Sequence, residues 1–397
     1  MIRRRLVIFW VCAAGLALLV AGCTSSAARR PAQPGRTALG SPLVILPAQL
    51  IGNHLVIEAK WDRSGPYRFL IDTGSSTTLV TAALARRYPG QEVPAWTPPV
   101  RVKGADGKIT ELSRASLRRL ELGEVKFDDV DVLIHDCAAL SAHLGVKIDG
   151  VLGFPLFREL LLTLDYPGSR VLLQSAREVP LLPGTMVPFD DARKIPLISV
   201  RLGERSLVAL IDSGSDAVLS LNPVGLEPRF AFGPVVGATV GTLGGERTQQ
   251  IGRLAETLVL GQQAFPQPVV DLTDELSAIG GGLLRHFSVS FDQQRDRVTF
   301  FRDGRVPIVT PARRSAGVSF SKTPAYWRIA GVVPKSPAEA EGIVTGDLVT
   351  RINGELIAKW DFRRYEQVVA TEKEITLTFL AGTAETEKRV RVFELVP

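Results

Sequence analysis

The chain of 397 residues is poor in the residue types that build disulfides and metal sites. It has three cysteines and four histidines. Cys12 and Cys23 both lie near the N terminus, so Cys137 has no partner for an internal disulfide in the rest of the chain. We expect Cys137 to be a small buried apolar residue rather than a nucleophile. The histidines show no metal-ligand spacing and no HExxH motif occurs, so neither a metal nor a cofactor is predicted.

The chain also lacks a net charge over most of its length. Its net charge is +6. Residues 1–41 contain six arginines and no acidic residue, and they carry all of this excess. The net positive charge therefore belongs to the N-terminal segment and gives no argument for a nucleic-acid partner.

The N-terminal segment has the pattern of an export signal. Three arginines, Arg3 to Arg5, precede an apolar run from Leu6 to Val20. The next residues, Val20-Ala21-Gly22-Cys23, resemble a bacterial lipobox, in which the Cys becomes the first mature residue and carries lipid. The resemblance implies a signal peptide at 1–22 and a membrane anchor on Cys23. A short transmembrane anchor or an ordinary cleaved signal is the alternative.

The same resemblance predicts where the protein resides. A lipoprotein of this kind would face the periplasm of a bacterial cell envelope. Thr24, a residue other than Asp after the lipidated Cys, favours the outer membrane. Residues 23–41 are rich in Ser, Ala, Pro, Gly and Arg, and they predict a flexible tether.

The region 42–304 has the pattern of a mainly β protein built from two copies of one unit. Short runs rich in β-branched and aromatic residues alternate with Gly- and Pro-containing turns. The string FLIDTGSS (69–76) returns as ALIDSGSD (209–216), and the flanking elements return in the same order. We expect a first lobe at 42–179 and a second lobe at 180–304.

The repeated string places one aspartate, Asp72 or Asp212, at a tight turn after an apolar strand in each copy. Two carboxylates that face each other hold one proton between them, so one can accept a proton from water while the other donates to a carbonyl oxygen. Asp-Ser/Thr-Gly is also common turn chemistry. The matching positions of the two copies in the repeat favour a catalytic pair.

The residues next to the two aspartates predict how the turns support them. Gly74 and Gly214 permit a close backbone approach. Thr73 and Ser213 can form hydrogen bonds locally or across the pseudo-twofold axis. The hydroxyls of Ser75 and Ser215 are able to bond the catalytic carboxylates from outside.

These strings resemble the retropepsin/pepsin-like aspartic proteases over about residues 42–304. The motifs that carry the resemblance are Asp72-Thr73-Gly74-Ser75 and Asp212-Ser213-Gly214-Ser215, with later apolar-apolar-Gly elements at Val151-Leu152-Gly153 and Ala278-Ile279-Gly280. The family implies a bilobal fold in which each lobe supplies one Asp to a substrate cleft.

The resemblance also implies a flap, a hairpin that closes over the cleft, around Gly104 and Gly107. A counterpart in the second lobe is expected near Gly241 to Gly245, although both sets of glycines are equally consistent with ordinary hairpin turns. The first hairpin has no Tyr and the lobes have no disulfides, so the chain is nearer to a retropepsin fused in tandem. Three further acids, Asp149, Asp165 and Asp292, are expected to be structural turn residues.

The C-terminal segment resembles a PDZ domain of the kind found in bacterial proteases. The resemblance depends on SPAEAEGIVTGDLVTRINGELI (336–357), and it predicts an α+β domain at 315–397. Ser336 and Gly342 are expected to start and stop a short helix. PDZ domains bind peptide C termini between a strand and a helix, here expected at Tyr326–Val333 and Asp361–Thr371. A purely structural domain is the alternative.

Two functions follow as hypotheses. The first is a membrane-anchored aspartic endopeptidase that acts on protein or peptide substrates, with a PDZ domain that recruits substrate or regulates cleavage. The second is a catalytically inactive scaffold of the cell envelope that binds peptides. Ser213 in place of Thr and the missing flap Tyr favour the second hypothesis only weakly, because neither removes an acid.

Overall fold

The computed structural model describes residues 34–94, 96–104, 107–177, 181–242, 245–304, 308–323 and 325–397. The predicted signal peptide, Cys23 and most of the predicted tether lie outside these residues. Within the described ranges, no helix is long and apolar enough to span a bilayer.

The first lobe consists of short strands joined by tight turns, as the alternation of β-rich runs and turn residues predicts. Its strands are β1 (Arg36–Leu39), β2 (Leu43–Ile51), β3 (His54–Trp61), β4 (Ser64–Asp72), β5 (Thr78–Val80), β6 (Val100–Lys103), β7 (Ile109–Leu112), β8 (Arg114–Leu122), β9 (Val125–Ile134), β10 (Gly150–Gly153), β11 (Leu160–Asp165) and β12 (Arg170–Ser175). Its helices are α1 (Ala82–Arg87) and α2 (Ala138–Leu144), and a 3-10 turn covers Phe154–Phe157.

The second lobe follows the same plan with one short helix. Its strands are β13 (Thr185–Pro188), β14 (Leu197–Leu202), β15 (Arg205–Asp212), β16 (Leu219–Leu221), β17 (Phe230–Thr242), β18 (Gly245–Leu254), β19 (Thr257–Leu260), β20 (Gln263–Pro266), β21 (Val269–Leu272), β22 (Ala278–Gly280), β23 (Ser288–Asp292) and β24 (Arg297–Phe301). Its helix is α3 (Gly281–Leu284).

The two lobes share one sheet at their base. The strand order there is β2-β12-β11-β23-β24-β13, so a first-lobe strand pairs directly with a second-lobe strand. The hydroxyls of Thr163 and Ser290 meet across this pairing at 2.7 Å. Phe154 and Phe291 lie in the same buried cluster with ring centroids 5.4 Å apart. The shared sheet and core therefore hold the lobes in a fixed relation.

Each lobe places its Asp-containing turn by a parallel strand pairing. Strand β4 ends at Asp72 and pairs with β10, which puts Asp72 opposite Gly153. Strand β15 ends at Asp212 and pairs with β22, which puts Asp212 opposite Gly280. The repeat found in the sequence is thus a repeat of topology, and its matching positions fall at the ends of paired central strands.

The C-terminal residues form the α+β domain that the sequence predicts. Its strands are β25 (Arg313–Ser315), β26 (Val318–Lys322), β27 (Trp327–Val332), β28 (Leu348–Ile352), β29 (Glu355–Leu356), β30 (Glu374–Ala381), β31 (Ala384–Arg391) and β32 (Phe393–Val396). Its helices are α4 (Pro337–Ala340) and α5 (Phe362–Thr371), with a 3-10 turn at Ile357–Lys359.

Local signals in the sequence account for the helices of this domain. The Ser336 hydroxyl accepts a hydrogen bond from Glu339 N–H at 3.3 Å, and Gly342 follows with φ of 66°, as predicted for a capped short helix. Asp361 caps α5 by accepting from Arg364 N–H at 2.8 Å. Helix α5 packs its buried Tyr365 against Phe320 with ring centroids 5.1 Å apart.

The predicted peptide groove needs one correction. The strand expected to line it, Tyr326–Val333, is essentially β27, and β27 is paired on both sides, with β26 and β28. A paired strand has no free backbone edge for an added peptide. Among the described residues, β26 and β31 are the edge strands of this sheet, and β26 is the one that pairs with β27.

The predicted tether also ends earlier than expected. Residues Arg36–Leu39 form β1, which pairs with β9, and the Arg36 guanidinium lies 2.5 Å from the Asp128 carboxylate. The tether prediction to residue 41 is therefore wrong from Arg36 onward. Composition alone suggested flexibility, and it carries no information about a distant pairing strand.

Four residues outside the repeat motif behave as structural side chains. Cys137 is buried, and burial raises the pKa of its thiol to about 12, which is the opposite of an activated nucleophile. Asp149 accepts from Arg68 N–H at 3.0 Å. Asp165 and Asp292 are paired with Arg170 at 2.6 Å and Arg297 at 3.0 Å, respectively. The three acids stabilise turns and strand ends, as predicted.

Candidate active site

Asp72 and Asp212 each end a strand and are held by the turn that follows. Gly74 N–H donates to Asp72 Oδ1 at 2.8 Å, and Gly214 N–H donates to Asp212 Oδ1 at 2.9 Å. Each carboxylate therefore bonds to the backbone two residues ahead, as Asx turns do. This bond fixes each side chain on its own turn.

The two turns are locked together by a reciprocal set of hydrogen bonds. Thr73 Oγ1 donates to Ile211 C=O at 2.6 Å and accepts from Ser213 N–H at 3.0 Å. Ser213 Oγ donates to Ile71 C=O at 2.8 Å and accepts from Thr73 N–H at 3.0 Å. Thr73 and Ser213 are both fully buried. The sequence left open whether Thr73 and Ser213 bond locally or across the pseudo-twofold axis. In the structure, they bond across the axis.

The backbone at Gly74 and Gly214 comes so close to the opposite aspartate that no side chain fits. A Cβ on Gly74 would lie 2.6 Å from Asp212 Oδ1, and a Cβ on Gly214 would lie 2.5 Å from Asp72 Cγ. The two carboxyl groups lie close enough for each to shift the pKa of the other. The fold therefore brings the two predicted acids face to face at one point between the lobes.

Ser75 and Ser215 have a different role from the one expected. Ser75 Oγ donates to Thr77 C=O at 2.7 Å, and Ser215 Oγ accepts from Ala217 N–H at 3.3 Å. Both hydroxyls bond within their own loops, and no hydrogen bond joins either one to Asp72 or Asp212. The expectation that they bond the carboxylates is wrong, because the loop turns the side chains back onto its own backbone.

The apolar-apolar-Gly elements press against the back of the two loops. A Cβ on Gly153 would lie 2.2 Å from Thr77 C=O, and a Cβ on Gly280 would lie 2.4 Å from Ala217 C=O. The residues just after these glycines anchor the loops: Phe154 N–H donates to Ser75 C=O at 2.9 Å. The resemblance matched these glycines correctly, and the structure shows that each is required by a close backbone contact.

Burial raises the pKa values of both carboxyl groups. The pKa of Asp72 lies well above its ordinary value because of desolvation, then repulsion from Asp212, then the hydrogen bond to Asp212. Desolvation also raises the pKa of Asp212, but Gly214 N–H, the hydrogen bond from Asp72 and the positive potential of His54 all lower it. The two carboxyl groups therefore titrate as a pair that shares one proton.

His54 is a neighbour of the pair that the sequence did not single out. Its Nε2 lies 3.0 Å from Gly214 C=O and its Nδ1 lies 3.1 Å from Ile51 C=O. Both nitrogens face acceptors, so only the doubly protonated ring can donate to both. The side chain comes from the first lobe but touches the turn of the second lobe. No local motif marks it, because the contact depends on the packing of the lobes.

Tyr166 is a second buried neighbour that the sequence missed. Burial raises the pKa of its phenol far above the ordinary value, and the charges of Asp212 and Asp72 add to the effect. Its hydroxyl has no hydrogen-bond partner within the described ranges. Tyr166 therefore stays protonated and gives the pair an electrically neutral neighbour.

The predicted flap is a two-stranded hairpin, β6–β7, that reaches from the first lobe to the second. Lys103 Nζ lies 2.7 Å from Glu275 Oε2 of the second lobe, and a Cβ on Gly107 would lie 2.9 Å from Glu275 Oε1. Gly107 N–H donates to Gly104 C=O at 3.0 Å and closes the turn. Residues 105–106 lie outside the described residues. The hairpin thus bridges the two lobes, and its role as a flap stays a prediction.

The second-lobe counterpart is the longer hairpin β17–β18, whose tip at 243–244 lies outside the described residues. Near the end of β17, Thr239 N–H donates to Ser319 Oγ of the C-terminal domain at 3.0 Å. A Cβ on Gly331 would lie 2.1 Å from Thr239 Oγ1. This hairpin therefore packs on the sheet of the C-terminal domain, a contact that the sequence did not predict.

A family model described as aspartyl protease matches residues 57–156. The matched segment contains Asp72, the β6–β7 hairpin and Val151–Gly153, and it supports a retropepsin-like aspartyl protease domain. No curated protein matches the chain.

Proposed function

We propose that this protein is an aspartic endopeptidase in which Asp72 and Asp212 act on one water molecule. The observation that carries the proposal is the face-to-face contact of the two carboxyl groups, each supplied by its own lobe. The aspartyl protease match over residues 57–156 supports the same reaction class.

The asymmetry of the pair assigns the first step. The Asp212 carboxylate accepts a proton from a water that lies between the two acids, and the water oxygen attacks the scissile carbonyl carbon. Asp72 gives its proton to the carbonyl oxygen, so a neutral gem-diol forms. When the C–N bond breaks, the proton on Asp212 goes to the leaving nitrogen and a hydroxyl proton returns to Asp72. The pair ends with one proton, as it began.

The surrounding elements prepare the site for this chemistry. The reciprocal bonds of Thr73 and Ser213 keep the two turns in place, so little reorganisation is needed when the substrate binds. The β6–β7 hairpin would cover an extended peptide and exclude water from the cleft. Its ion pair between Lys103 and Glu275 ties the first lobe to the second above the cleft.

Anchoring and recruitment complete the proposal. Lipidation of Cys23 and a position facing the periplasm, on the outer membrane, are inferred from the sequence alone. The C-terminal domain is proposed to act as a PDZ module that recruits or regulates substrate. Its sheet has a free edge at β26 beside helix α5, which is the arrangement that binds an added peptide strand.

The experiment is cleavage of an unfolded protein substrate by the chain and by Asp72→Asn and Asp212→Asn variants over acid to neutral pH. Each variant keeps the shape of the side chain and removes the shared proton chemistry. We expect each to lower kcat by at least about 10³-fold. Asp165→Asn is the matched control, since it also removes an acid at a strand end.

Two results would contradict the proposal. Cleavage by both Asn variants at the rate of the unsubstituted chain would rule out the mechanism. The absence of cleavage by the unsubstituted chain, together with no binding of a statine-type transition-state mimic, would favour the envelope scaffold instead.

A further inference from the structure

The hairpin of strands β2 and β3 belongs to the first lobe, but its tip lies against the second lobe. Ile51 pairs with His54, so Gly52 and Asn53 are the two central residues of the turn. Both have a positive φ, 50° and 68°, as in the type I′ turns that suit the twist of two-residue hairpins. Gly and Asn adopt this conformation more readily than other residues. The local sequence therefore specifies a tight tip that carries the Asn53 side chain.

The Asn53 side chain bonds two segments of the second lobe at once. Its Nδ2 donates to Asp216 C=O at 3.2 Å, and its Oδ1 accepts from Arg285 Nη1 at 3.1 Å. A side-chain amide has both a donor and an acceptor, so it can make both bonds. Asp216 lies four residues after Asp212, in the loop 212–217 that carries the second aspartate. Asn53 therefore joins this loop to the residue that follows α3.

The backbone of the tip also fits closely against the second lobe. A Cβ on Gly281, the first residue of α3, would lie 2.2 Å from Asn53 C=O. The start of α3 is in turn bonded to the loop 212–217. Gly281 N–H donates to Ser215 C=O at 2.7 Å, and Gly282 N–H donates to Ala217 C=O at 3.0 Å. The tip, the loop and the start of the helix are thus joined into one packed unit.

The same hairpin contacts the loop at a second point through His54. His54 is buried, and its Nε2 lies 3.0 Å from Gly214 C=O. Gly214 N–H is the group that donates to Asp212 Oδ1. The first lobe therefore holds the loop at Gly214 through His54 and at Asp216 through Asn53. Two contacts in a loop of six residues restrict how far Asp212 can move.

These contacts matter because the loop does not lie against a solid core on this side. Asn53, Asp216 and Arg285 all line a cavity of about 620 Å³ between this region and the C-terminal domain. Atoms that line a cavity lack packing partners on that side and lose the dispersion contacts that a filled core provides. The two hydrogen bonds of Asn53 supply directional contacts where packing is incomplete.

We propose that Asn53 is a positioning residue for Asp212, which it holds from the opposite lobe through the loop 212–217. Asn53 bonds the loop and not the carboxyl groups, so it acts on the geometry of the pair and not on the reacting atoms. The inference rests on the proposed protease function and deepens it, since it assigns the second aspartate a support that its own lobe does not provide.

The experiment uses Asn53→Gly in the full chain, which removes both side-chain bonds and keeps a residue that accepts the positive φ. Amide hydrogen exchange, followed by NMR, is measured at Gly214 N–H and at the equivalent Gly74 N–H of the first lobe. We expect exchange at Gly214 to become about tenfold faster, as the loss of a hydrogen bond predicts, and exchange at Gly74 to change much less. On a peptide substrate, kcat should fall about tenfold with little change in KM.

Asn353→Gly is the matched control. Asn353 also has a positive φ, 48°, and its Oδ1 accepts a hydrogen bond from Thr376 N–H at 2.8 Å within the C-terminal domain. This variant should keep the kcat and the Gly214 exchange rate of the unsubstituted chain. Arg285→Met removes only the donor to Asn53 Oδ1 and should give part of the effect. Combined with Asn53→Gly it should add little, because the two substitutions remove the same bond.

Three results would overturn the proposal. In Asn53→Gly, unchanged exchange at Gly214 would mean that Asn53 does not hold the loop. Equally faster exchange at Gly214 and Gly74 would mean a general loss of stability. Faster exchange at Gly214 with an unchanged kcat would mean that the position of the loop does not limit catalysis. If the unsubstituted chain cleaves no peptide, the proposed function fails, whereas the exchange rates still decide whether Asn53 holds the loop.

Discussion

The two lobes use the same turn and the same parallel strand pairing, but they surround their aspartates differently. In the first lobe, the turn of Asp72 is followed by helix α1, and the short β6–β7 hairpin reaches Glu275 of the second lobe. In the second lobe, the turn of Asp212 receives His54 from the first lobe, and the long β17–β18 hairpin contacts the C-terminal domain. A nearly symmetric frame thus holds an asymmetric pair of acids.

The comparison shows how duplication can give two equal groups different roles. The bonds through Thr73 and Ser213 are alike on both sides, so they fix position without distinguishing the aspartates. His54 contributes to the difference, because it contacts the turn that carries Asp212 and its positive potential lowers the pKa of that carboxyl group. A contact from outside the repeat therefore makes the surroundings of the two aspartates unequal.

The largest effect is expected from Gly74→Ala and Gly214→Ala, which alter the two equivalent turns that hold the aspartates. Each added Cβ would lie about 2.5–2.6 Å from the opposite carboxyl group, so the pair must move apart. A displacement on the order of 1 Å at reacting atoms lowers activity by about 10²-fold. We expect similar losses of kcat for both variants, measured on a peptide substrate.

The glycine variants also sharpen the comparison between the lobes. A large loss from one variant and none from the other would show that only one turn approaches the pair closely. Gly225→Ala provides the control, because a Cβ at Gly225 has no atom within 4 Å and its strain is confined to a positive φ of 74°.

The next test concerns stability, with Thr73→Val beside Ser213→Ala. Each substitution removes one donor and one acceptor and leaves a buried backbone N–H of the other lobe without a partner. We expect each to lower the free energy of unfolding by about 2–4 kcal/mol, measured by urea denaturation. Thr163→Val, which loses a single bond to Ser290, should cost about half as much or less.

Equal effects of Thr73→Val and Ser213→Ala would agree with the reciprocal geometry. If Ser213→Ala were stable and Thr73→Val unstable, the hydrogen bonds of Thr73 alone would hold the two turns together. In that case, the presence of Ser rather than Thr in the second copy would have weakened the symmetry of the frame.

The smallest effect is expected from His54→Gln, which removes a difference between the surroundings of Asp72 and Asp212. Activity requires Asp212 to be ionised and Asp72 to be protonated, so the acid limb of the pH profile follows Asp212. Removal of the positive potential of His54 raises the pKa of Asp212, and the acid limb should therefore move to higher pH. The alkaline limb, which follows Asp72, should stay in place. The measurement is kcat/KM against pH.

His135→Gln is the control for this experiment, because His135 is not among the groups that influence the titration of either aspartate. An unchanged acid limb in His54→Gln would contradict the assigned role of His54. A shift of both limbs would mean that His54 acts on the pair as a whole rather than on Asp212.

Much of the fold and the centre of the site could be predicted from the sequence, since they depend on local signals. The repeated Asp-Ser/Thr-Gly-Ser strings, the Gly-bearing hairpins and the capping residues Ser336 and Asp361 each encode a turn or a helix end. The duplication then placed Asp72 and Asp212 in equivalent positions. These features require no knowledge of which distant residues meet.

The features that the sequence did not predict all depend on packing between distant segments. His54 and Tyr166 reach the pair only after the lobes join, and Arg36–Leu39 becomes a strand only beside β9. The hydroxyls of Ser75 and Ser215 were assigned to the carboxylates because spacing cannot show which way a loop turns its side chains.

The proposed mechanism requires the two aspartates to share one proton, which it places on Asp72. It is tested most directly by ¹³C NMR titration of the carboxyl carbons in protein labelled at aspartate, with Asp72→Asn and Asp212→Asn used to assign the signals. The account predicts that the Asp72 signal titrates well above the ordinary range of aspartate and that removal of Asp212 brings its pKa down. Two independent titrations near the ordinary value would contradict it.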